Sequence, residues 1–272
     1  MTATRSDKVR LDVLLVDRGL VASRDRARAL ILAARVRAND RVITKAGTMV
    51  PREADLHLTQ PDHPYVGRGG IKLAHALDVF AIGVRDRVAL DIGASTGGFT
   101  DVLLRRGATR VVALDVGHGQ LDWRLRTDAR VMAIERINAR YVMPADLPAA
   151  CARIDIVTVD VSFISLRHIL PVIPPLLSDE PDVVALVKPQ FEAGRPEVGA
   201  GGIVRDPEVQ ARVVAQIVDC AAALGLETVA TCESPIAGGD GNREFFVHLR
   251  PVRDRASVDV APSGDAAGRT GT

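Results

Sequence analysis

The sequence predicts a doubly wound α/β domain with a mostly parallel sheet, preceded by a small α+β domain. From residue 85 onward, short apolar runs such as RVALDIG and RVVALDVG alternate with helical stretches, the pattern of a sheet that helices cover on both faces. Before these runs, the segment 59–70 (TQPDHPYVGRGG) is rich in proline and glycine and breaks helical and strand periodicity. We therefore expect a domain at 1–60, a linker at 61–70 and a larger domain at 71–251.

The composition is that of a soluble globular protein, because 47% of the 272 residues are hydrophobic and 25% are charged. The formal net charge is only +1, so binding of a polyanion would depend on local clusters of charge. The three cysteines show neither CxxC nor metal-ligand spacing, which indicates reduced thiols, a cytoplasmic location and no metal. The sequence shows no signal peptide and no apolar run of the roughly 18 residues that a membrane span needs, so no membrane partner is expected. Residues 252–272 lose apolar periodicity and are expected to be a disordered tail.

The front of the chain is basic, since residues 1–64 carry 12 lysines and arginines against 8 acidic residues. Ser23 is predicted to cap a helix that runs through RDRARALILAA. The expected buried stripe of this helix consists of Ala27, Leu30, Ile31 and Ala34. Residues 36–58 change to short alternating runs, which predict small strands joined by turns at Asn39-Asp40 and Ala46-Gly47.

The segment RLDVLLVDRGLVASRDRARALILAARVRANDRVI resembles an S4 domain, a small RNA-binding module, over about residues 5–64. The resemblance implies that a basic face binds RNA phosphates, and such contacts gain free energy from counterion release. The residues of this face would be Arg10, Arg18, Arg24, Arg28 and Lys45. The residues alone also allow a basic helix face that is merely solvated.

Polar residues terminate several predicted strands of the larger domain. Asp91, Asp115 and Asp160 end three apolar runs, and Lys188 directly follows the run VVALV. In open α/β sheets the ligand lies beyond the carboxyl ends of the strands. We therefore expect these four side chains to converge on one crevice.

The segment DIGASTGGFT, residues 91–100, predicts a glycine-rich turn between a strand and a helix, where backbone N–H groups can approach a ligand. Its glycines depart from the GxGxxG order, and Asp115 follows at a distance where a carboxylate can accept from both ribose hydroxyls. S-adenosylmethionine therefore fits better than a nicotinamide cofactor. The residues expected to bind it are Asp91, Gly93, Ser95, Gly97, Gly98 and Asp115, with Arg136 and Asn138 near the adenine unless they only cap a loop.

Glu244 precedes the last apolar run, FFVHL, and reaches the same crevice only if that strand runs antiparallel to the others. A reversed last strand is the hallmark of class I methyltransferases and is absent from nicotinamide-binding Rossmann domains. Lysine is scarce, with four residues against 31 arginines. Lys72 and Lys188 are therefore expected to do what arginine cannot, since a desolvated lysine can lose its proton.

Lys72, Asp160, Lys188 and Glu244 resemble, in order and in position, the catalytic tetrad of the FtsJ-type ribose 2′-O-methyltransferases, over about residues 65–250. The resemblance implies that Lys188, desolvated beside Lys72, takes or orients the proton of a ribose hydroxyl. The two carboxylates would hold the two amines. Amino-group methyltransferases fit less well because the motif DVSF stands where they carry Asn-Pro-Pro-Tyr. A carbon-5 cytosine methyltransferase would need a cysteine nucleophile close to the site, but Cys151 lies before its strand rather than after it.

An S4 domain followed by an FtsJ-like domain resembles the TlyA family of ribosomal RNA cytidine 2′-O-methyltransferases. The resemblance implies a cytidine of 16S or 23S ribosomal RNA, within the 30S or 50S subunit, as the substrate. A non-catalytic RNA-binding assembly factor of the same fold is one alternative. The second alternative is a haemolysin, since some relatives carry that name. A haemolysin would need a membrane-spanning or strongly amphipathic segment, and the sequence shows neither.

Overall fold

The computed structural model describes residues 7–21, 23–59, 63–238 and 241–252. Its contacts divide the chain into two compact units, Met1–Pro64 and Tyr65–Thr272. The division falls inside the predicted linker 61–70, and the structure places residues 65–70 in the second unit. The predicted tail lies outside the described residues apart from Val252.

The first unit contains two short helices and two small antiparallel sheets. Its elements are β1 (Lys8–Arg10), α1 (Leu11–Asp17), α2 (Arg24–Leu32), β2 (Val36–Ala38), β3 (Arg41–Ile43), β4 (Met49–Pro51) and β5 (Leu56–Leu58). Strand β1 pairs with β4, and β2 lies between β3 and β5. Apolar residues of both helices and of the strands form one core. The α+β architecture is the one that the sequence predicts.

Helix α2 begins as expected and ends early. The Ser23 hydroxyl accepts from the Arg26 N–H at 3.2 Å, which satisfies one of the free donors of the first turn. Ala27 and Ile31 are buried, but Ala34 is exposed and has a φ of 57°. The expectation that Ala34 belongs to the buried stripe is wrong, because the helix ends at Leu32 and the chain turns there toward β2.

The turn between β2 and β3 follows the sequence prediction. Asn39 and Asp40 have φ angles of 45° and 63°, both in the left-handed region. Two such residues between antiparallel strands make a tight hairpin, and asparagine and aspartate are the residues besides glycine that tolerate this conformation.

The second unit is built on one sheet of seven strands. Its elements are α3 (Gly69–Val79), β6 (Val88–Ile92), α4 (Gly98–Arg105), β7 (Arg110–Asp115), α5 (Trp123–Arg126), β8 (Val131–Glu135), β9 (Ile154–Val159), β10 (Leu177–Val187), α6 (Pro189–Glu192), α7 (Pro207–Ala223), β11 (Leu226–Glu233) and β12 (Phe245–Pro251). The strand order is β11-β12-β10-β9-β6-β7-β8. The pairs among β6 to β10 are parallel, whereas β12 is antiparallel to both of its neighbours. This is the doubly wound sheet with a reversed last strand that the sequence predicts.

Both faces of the sheet are buried, which explains the continuous apolar runs of the strands. Ala89 and Val111 belong to one apolar cluster, together with residues of α3 and α4. Leu90 and Val112, the next residue along each strand, belong to a second cluster that includes residues of α7. The alternation of side chains along a strand thus gives the sheet a core on each face.

Two connections differ from the expected alternation of strands and helices. The chain between β8 and β9, and again between β9 and β10, forms short 3-10 turns. They span Ala139–Tyr141, Pro144–Asp146, Ala149–Cys151, Leu166–His168, Leu170–Val172 and Pro174–Leu176. Prolines such as Pro144, Pro171 and Pro174 stand within these turns, and proline lacks the N–H group that a longer helix would need.

A network of buried charges joins three parts of the second unit. Asp182, on β10, is 3% exposed and pairs with Arg87 at 2.6 Å, with Arg250 at 2.7 Å and with His248 at 2.7 Å. Burial alone would raise the pKa of Asp182, but the hydrogen bonds from His248, Arg87 and Arg250 outweigh it and hold that pKa well below its usual range. The carboxylate therefore stays charged and ties β10 to β12 and to the segment before β6.

We expect Asp182→Ala to lower the free energy of unfolding by about 3 kcal/mol or more, because it removes the one carboxylate that Arg87, Arg250 and the buried His248 share. A lowered carboxyl pKa contributes stability that is present above the unfolded pKa of about 4 and is lost as the pH falls through the folded value. The difference between variant and wild type should therefore shrink below about pH 4.

Urea denaturation followed by circular dichroism at several pH values measures this difference. Asp179→Ala is the matched control, since Asp179 lies on the same strand, has a side chain that is 93% exposed and pairs with Arg153 at the surface. Equal stabilities of the two variants would contradict the prediction.

Candidate active site

The four predicted catalytic residues form two buried ion pairs. The Lys72 Nζ atom lies 2.5 Å from Glu244 Oε2, and the Lys188 Nζ atom lies 2.7 Å from Asp160 Oδ1. Lys188 also donates to the Ser162 hydroxyl at 2.9 Å. Lys72, Lys188 and Glu244 are each less than a tenth exposed. Each buried ammonium thus has a carboxylate as its counterion, which offsets much of the cost of burial.

The strand register brings the carboxylates to the lysines. Asp160 and Lys188 directly follow β9 and β10, which are adjacent and parallel, so their side chains emerge at the same edge. In the antiparallel pair of β10 and β12, Val187 lies opposite Phe245, and Glu244 is therefore at the level of Lys188. The reversed direction of β12 is what places Glu244 at this edge.

A cavity of about 480 Å³ opens at this edge of the sheet, a size usual for sites that bind small molecules. Four of the residues predicted to bind the cofactor line it: Gly93, Ser95, Asp115 and Asn138. A smaller neighbouring cavity shares Gly93, Ser95, Asp160 and Ser162 with it, and adds Gly98 and Lys188. The cofactor loop and the Lys188–Asp160 pair therefore face connected space.

Gly93 permits the closest approach of two backbone segments in the site. Its φ is 85°, and a Cβ atom placed on it would lie 2.5 Å from the carbonyl oxygen of Asp160. Any other residue would collide with the backbone that carries the Asp160 carboxylate. The glycine therefore fixes the distance between the cofactor loop and the catalytic pair.

The residues around the larger cavity fit S-adenosylmethionine. The Asp115 carboxylate, at the end of β7, accepts the N–H groups of Ser95 at 2.8 Å and Gly117 at 2.6 Å, which orient it and leave lone pairs for ribose hydroxyls. Asn138 lies in the same lining, where its amide can donate and accept. The positively charged sulfonium of the cofactor also suits a wall that carries Asp160.

Three predicted cofactor residues line neither cavity. Asp91 is fully buried and accepts from the Thr100 hydroxyl at 2.7 Å and the Thr158 hydroxyl at 3.0 Å, so it holds β6, α4 and β9 together. Burial raises its pKa to about 7. Gly97 is the N-cap residue of α4, with a φ of 95°, and a Cβ atom placed on it would collide with the side chains of Leu121 and Leu125. Arg136 is exposed, also with a positive φ, and its backbone N–H bonds to Gly117. These three residues shape the loops rather than face the cavities.

Sequence reasoning missed two contributors to the site, Ser162 and Glu192. Ser162 accepts from Lys188, and its place two residues after Asp160 is the signal that could have found it. Phe163, the last residue of the DVSF motif, also lies at the site, since it is 91% exposed with a φ of 64° and lines the larger cavity. Glu192, on α6, accepts from the Ser165 hydroxyl at 2.5 Å and the Leu166 N–H at 2.7 Å. It ties the loop after β9 to the segment after β10, and burial raises its pKa.

The five predicted RNA-binding residues of the first unit have three kinds of surroundings. Arg10, Arg24 and Arg28 converge on the buried carboxylate of Asp12. Arg18 donates instead to the carbonyl oxygens of Ala54 and Arg52. The side chain of Lys45 is exposed. Arg18 thus supports the backbone of this unit, and the other three arginines form a cluster.

Family models match both parts of the chain. An S4 domain model matches residues 9–56, and an FtsJ-like methyltransferase model matches residues 65–251, which is more than half of the chain. The chain belongs to the FtsJ-like methyltransferase family. These matches confirm the predicted fold class of an FtsJ-like domain preceded by an S4 domain, the enzyme class of a methyltransferase and S-adenosylmethionine as its cofactor.

Similar proteins carry two kinds of name. The 16S/23S rRNA (cytidine-2′-O)-methyltransferase TlyA of Mycobacterium tuberculosis is 47% identical over 250 residues, which cover 92% of this chain and 92% of that protein. Hemolysin A of Brachyspira hyodysenteriae is 39% identical and covers 89% of this chain and 99% of its own length. A solved structure from Streptococcus thermophilus, described as a hemolysin, is 43% identical with a TM-score of 0.71, over 90% of this chain and 89% of that one. The predicted resemblance to the TlyA family is confirmed.

We expect Gly93→Ala to weaken binding of S-adenosylmethionine at least about tenfold and to lower the free energy of unfolding by about 2 kcal/mol or more. The added Cβ atom must push the cofactor loop away from Asp160. Isothermal titration with the cofactor and urea denaturation measure the two effects.

Gly225→Ala is the matched control for Gly93→Ala. Gly225 also has a positive φ, of 74°, but a Cβ atom there would meet nothing within 4 Å. The control therefore carries the backbone strain without the collision. If both variants bind the cofactor as wild type does, the close approach at Gly93 does not shape the cofactor site.

Proposed function

We propose that this FtsJ-like methyltransferase transfers a methyl group from S-adenosylmethionine to the ribose 2′-hydroxyl of a cytidine in ribosomal RNA. The observation that carries the proposal is the Lys188 ammonium, held by Asp160 at 2.7 Å and Ser162 at 2.9 Å at the wall of the cofactor cavities. The relative TlyA, 47% identical, is named as a cytidine 2′-O-methyltransferase of 16S and 23S rRNA. An S4 domain in the same chain supports an RNA substrate. Ribosomal subunits, 30S or 50S, in the cytoplasm are the proposed setting.

A ribose hydroxyl is a poor nucleophile and must lose its proton as the new oxygen–carbon bond forms. Bound S-adenosylmethionine supplies a methyl group on a sulfonium, which is an activated leaving group. The Asp160 carboxylate of the Lys188–Asp160 pair lies where a hydroxyl entering the cavity can donate its hydrogen bond and give up its proton. Because Ser162 also holds the Lys188 Nζ atom, the ammonium keeps this carboxylate in place before the substrate binds.

The second ion pair supports the first. Helix α3 begins at Gly69, and a Cβ atom placed on Gly69 would lie 3.7 Å from Asp160 Oδ2. The first turn of α3, which carries Lys72, is therefore beside the Asp160 carboxylate. Glu244 neutralises Lys72 at 2.5 Å, so each of the two buried lysines has one carboxylate as its counterion. The Lys72–Glu244 pair thereby anchors α3 to the start of β12. We assign it the positioning of the site rather than proton transfer.

Phe163 supports a nucleotide substrate. The ring is almost fully exposed at the cavity that Ser162 and Asp160 line, and it contacts Phe191 at 5.1 Å between ring centres. An aromatic ring at such a place can stack on an unpaired base, which is how proteins hold single-stranded RNA.

Two other functions were considered from the sequence. A non-catalytic assembly factor would have no need of the paired Lys188 and the cofactor cavity. For the haemolysin, among the residues that the structure describes, no helix has the length and apolar character needed to cross a membrane. A methyltransferase function explains more of the buried polar residues than does an assembly factor or a haemolysin.

We expect the wild type to transfer labelled methyl from S-adenosylmethionine to unmodified 30S or 50S subunits. Lys188→Ala should lose roughly a hundredfold or more in rate, since it removes the ammonium that orients the Asp160 carboxylate, the proposed proton acceptor. After alkaline hydrolysis of the RNA, the label should remain in alkali-resistant dinucleotides, because a methylated 2′-oxygen cannot attack the neighbouring phosphate.

Lys8→Ala is the control, since Lys8 is an exposed lysine on β1 of the first unit. Label found in base fractions would overturn 2′-O chemistry. Cofactor binding without transfer to either subunit would favour the assembly factor.

A further inference from the structure

Asp12 is a fully buried carboxylate surrounded by three arginines of the first unit. Arg10 binds it with two hydrogen bonds, from Nε at 2.9 Å and from Nη2 at 3.0 Å. Arg24 Nη2 and Arg28 Nε approach the Oδ2 atom at 3.3 Å and 3.4 Å. The Asp12 carboxylate therefore binds one guanidinium group from the end of β1, that of Arg10, and two from α2, those of Arg24 and Arg28.

The cluster carries more positive charge than its own structure requires. The side chains of Arg10, Arg24 and Arg28 are 44%, 52% and 48% exposed, whereas that of Asp12 is inaccessible. Each guanidinium has five N–H donors, and the carboxylate uses only one or two of them. The hydrogen bond from Arg10 is the main reason that the pKa of Asp12 lies well below its usual range, against the effect of burial. Counting Asp25, which pairs with Arg28 at 3.5 Å, three cations have two anions beside them, so a surplus of one positive charge remains at the surface.

The backbone around Arg10 restricts the cluster further. A Cβ atom on Gly47 would lie 3.2 Å from Arg10 Nη1, so this arginine packs directly against the loop before β4. The same loop is fixed to the start of α1, since the Leu11 N–H donates to the Thr48 carbonyl at 2.9 Å. Arg10 is therefore held on one side by Asp12 and on the other by the loop. An arginine held in this way has less side-chain entropy to lose when it binds an anion.

We propose that Asp12 is the positioning residue of a site in which Arg10, Arg24 and Arg28 bind backbone phosphates of RNA. This inference rests on the proposed function, because it takes RNA as the substrate. A phosphodiester matches the surplus charge and the planar, forked donors of the guanidinium groups. Asp12 itself repels phosphate, so its benefit to binding is the fixed geometry of three side chains that would otherwise move independently.

The direction in which one substitution changes RNA affinity distinguishes a positioning role of Asp12 from a purely electrostatic one. Asp12→Asn removes a negative charge beside the phosphates, so electrostatics alone predicts tighter binding of RNA. Positioning predicts weaker binding by about five- to tenfold and a slope of log K against log salt that is smaller by about one. Asp25→Asn is the matched control, since Asp25 is 93% exposed and pairs with Arg28 at 3.5 Å. It removes the same charge from the same surface, and its binding should be unchanged or tighter.

The measurement is filter binding of the full chain to 16S and 23S ribosomal RNA transcribed in vitro, over a series of potassium chloride concentrations. Thermal unfolding and titration with S-adenosylmethionine show whether Asp12→Asn folds. Binding of this variant that equals or exceeds that of wild type overturns the proposal.

A second variant keeps the test decisive if Asp12→Asn does not fold. Arg10→Lys preserves the charge of the half-exposed side chain but cannot make the paired hydrogen bonds to Asp12. We expect about a threefold or greater loss of RNA affinity. Arg52→Lys, which alters an exposed ion pair with Asp7 at 3.1 Å, should bind as wild type does. Equal binding by Arg10→Lys and Arg52→Lys overturns the proposal.

Failure of the proposed function gives a different result. A wild type that binds ribosomal RNA but transfers no methyl group contradicts the methyltransferase proposal, while the order of affinities among the variants still decides the role of Asp12. A wild type that does not bind ribosomal RNA overturns both.

Discussion

The antiparallel direction of β12 is the constraint on which the catalytic site depends. The carboxyl ends of β6 to β10 meet at one edge of the sheet, and a further parallel strand would add only its own carboxyl end there. Because β12 runs the other way, its first residues arrive at that edge, and Glu244 comes to the level of Lys188. A carboxylate from the end of the fold can thus pair with Lys72 from the beginning, 172 residues away in sequence. The position of Glu244 follows from backbone pairing and does not depend on a flexible loop.

Charge balance explains why two lysines can be buried beside the cofactor cavities. A buried ammonium without a partner would lose its proton or destabilise the fold, and the cost falls when a carboxylate lies within hydrogen-bond distance. Lys72 and Lys188 each have one such carboxylate. The expectation from the sequence that Lys72 acts directly on Lys188 therefore changes, since each lysine has its own counterion. The group proposed to meet the ribose hydroxyl is an ion pair, and Asp160 belongs to it as much as Lys188 does.

Much of the fold and the tetrad could be predicted because polar residues that end buried strands must emerge at a sheet edge. Asp160 and Lys188 stand directly after Val159 and Val187, and both reach the site. Asp91 has the same appearance in sequence, but β6 continues to Ile92, so its side chain lies inside the sheet and Gly93 takes the edge position. Which lysine pairs with which carboxylate depends on strand order and register, and neither is visible in the pattern of residues. Loop residues such as Ser162 carry no periodic signal.

The two units meet opposite electrostatic demands. The proposed catalytic tetrad buries two lysines, each with one carboxylate as its counterion, so the four side chains together carry little net charge. In the proposed RNA-binding role, the cluster around Asp12 would attract a polyanion through water, and its three half-exposed arginines exceed the two carboxylates, Asp12 and Asp25, that pair with them. Screening by salt acts strongly on the exposed surplus and weakly on the buried, neutral pairs. With the proposed role of this cluster, a chain whose formal net charge is only +1 would bind RNA through a local concentration of basic charge rather than through its net charge.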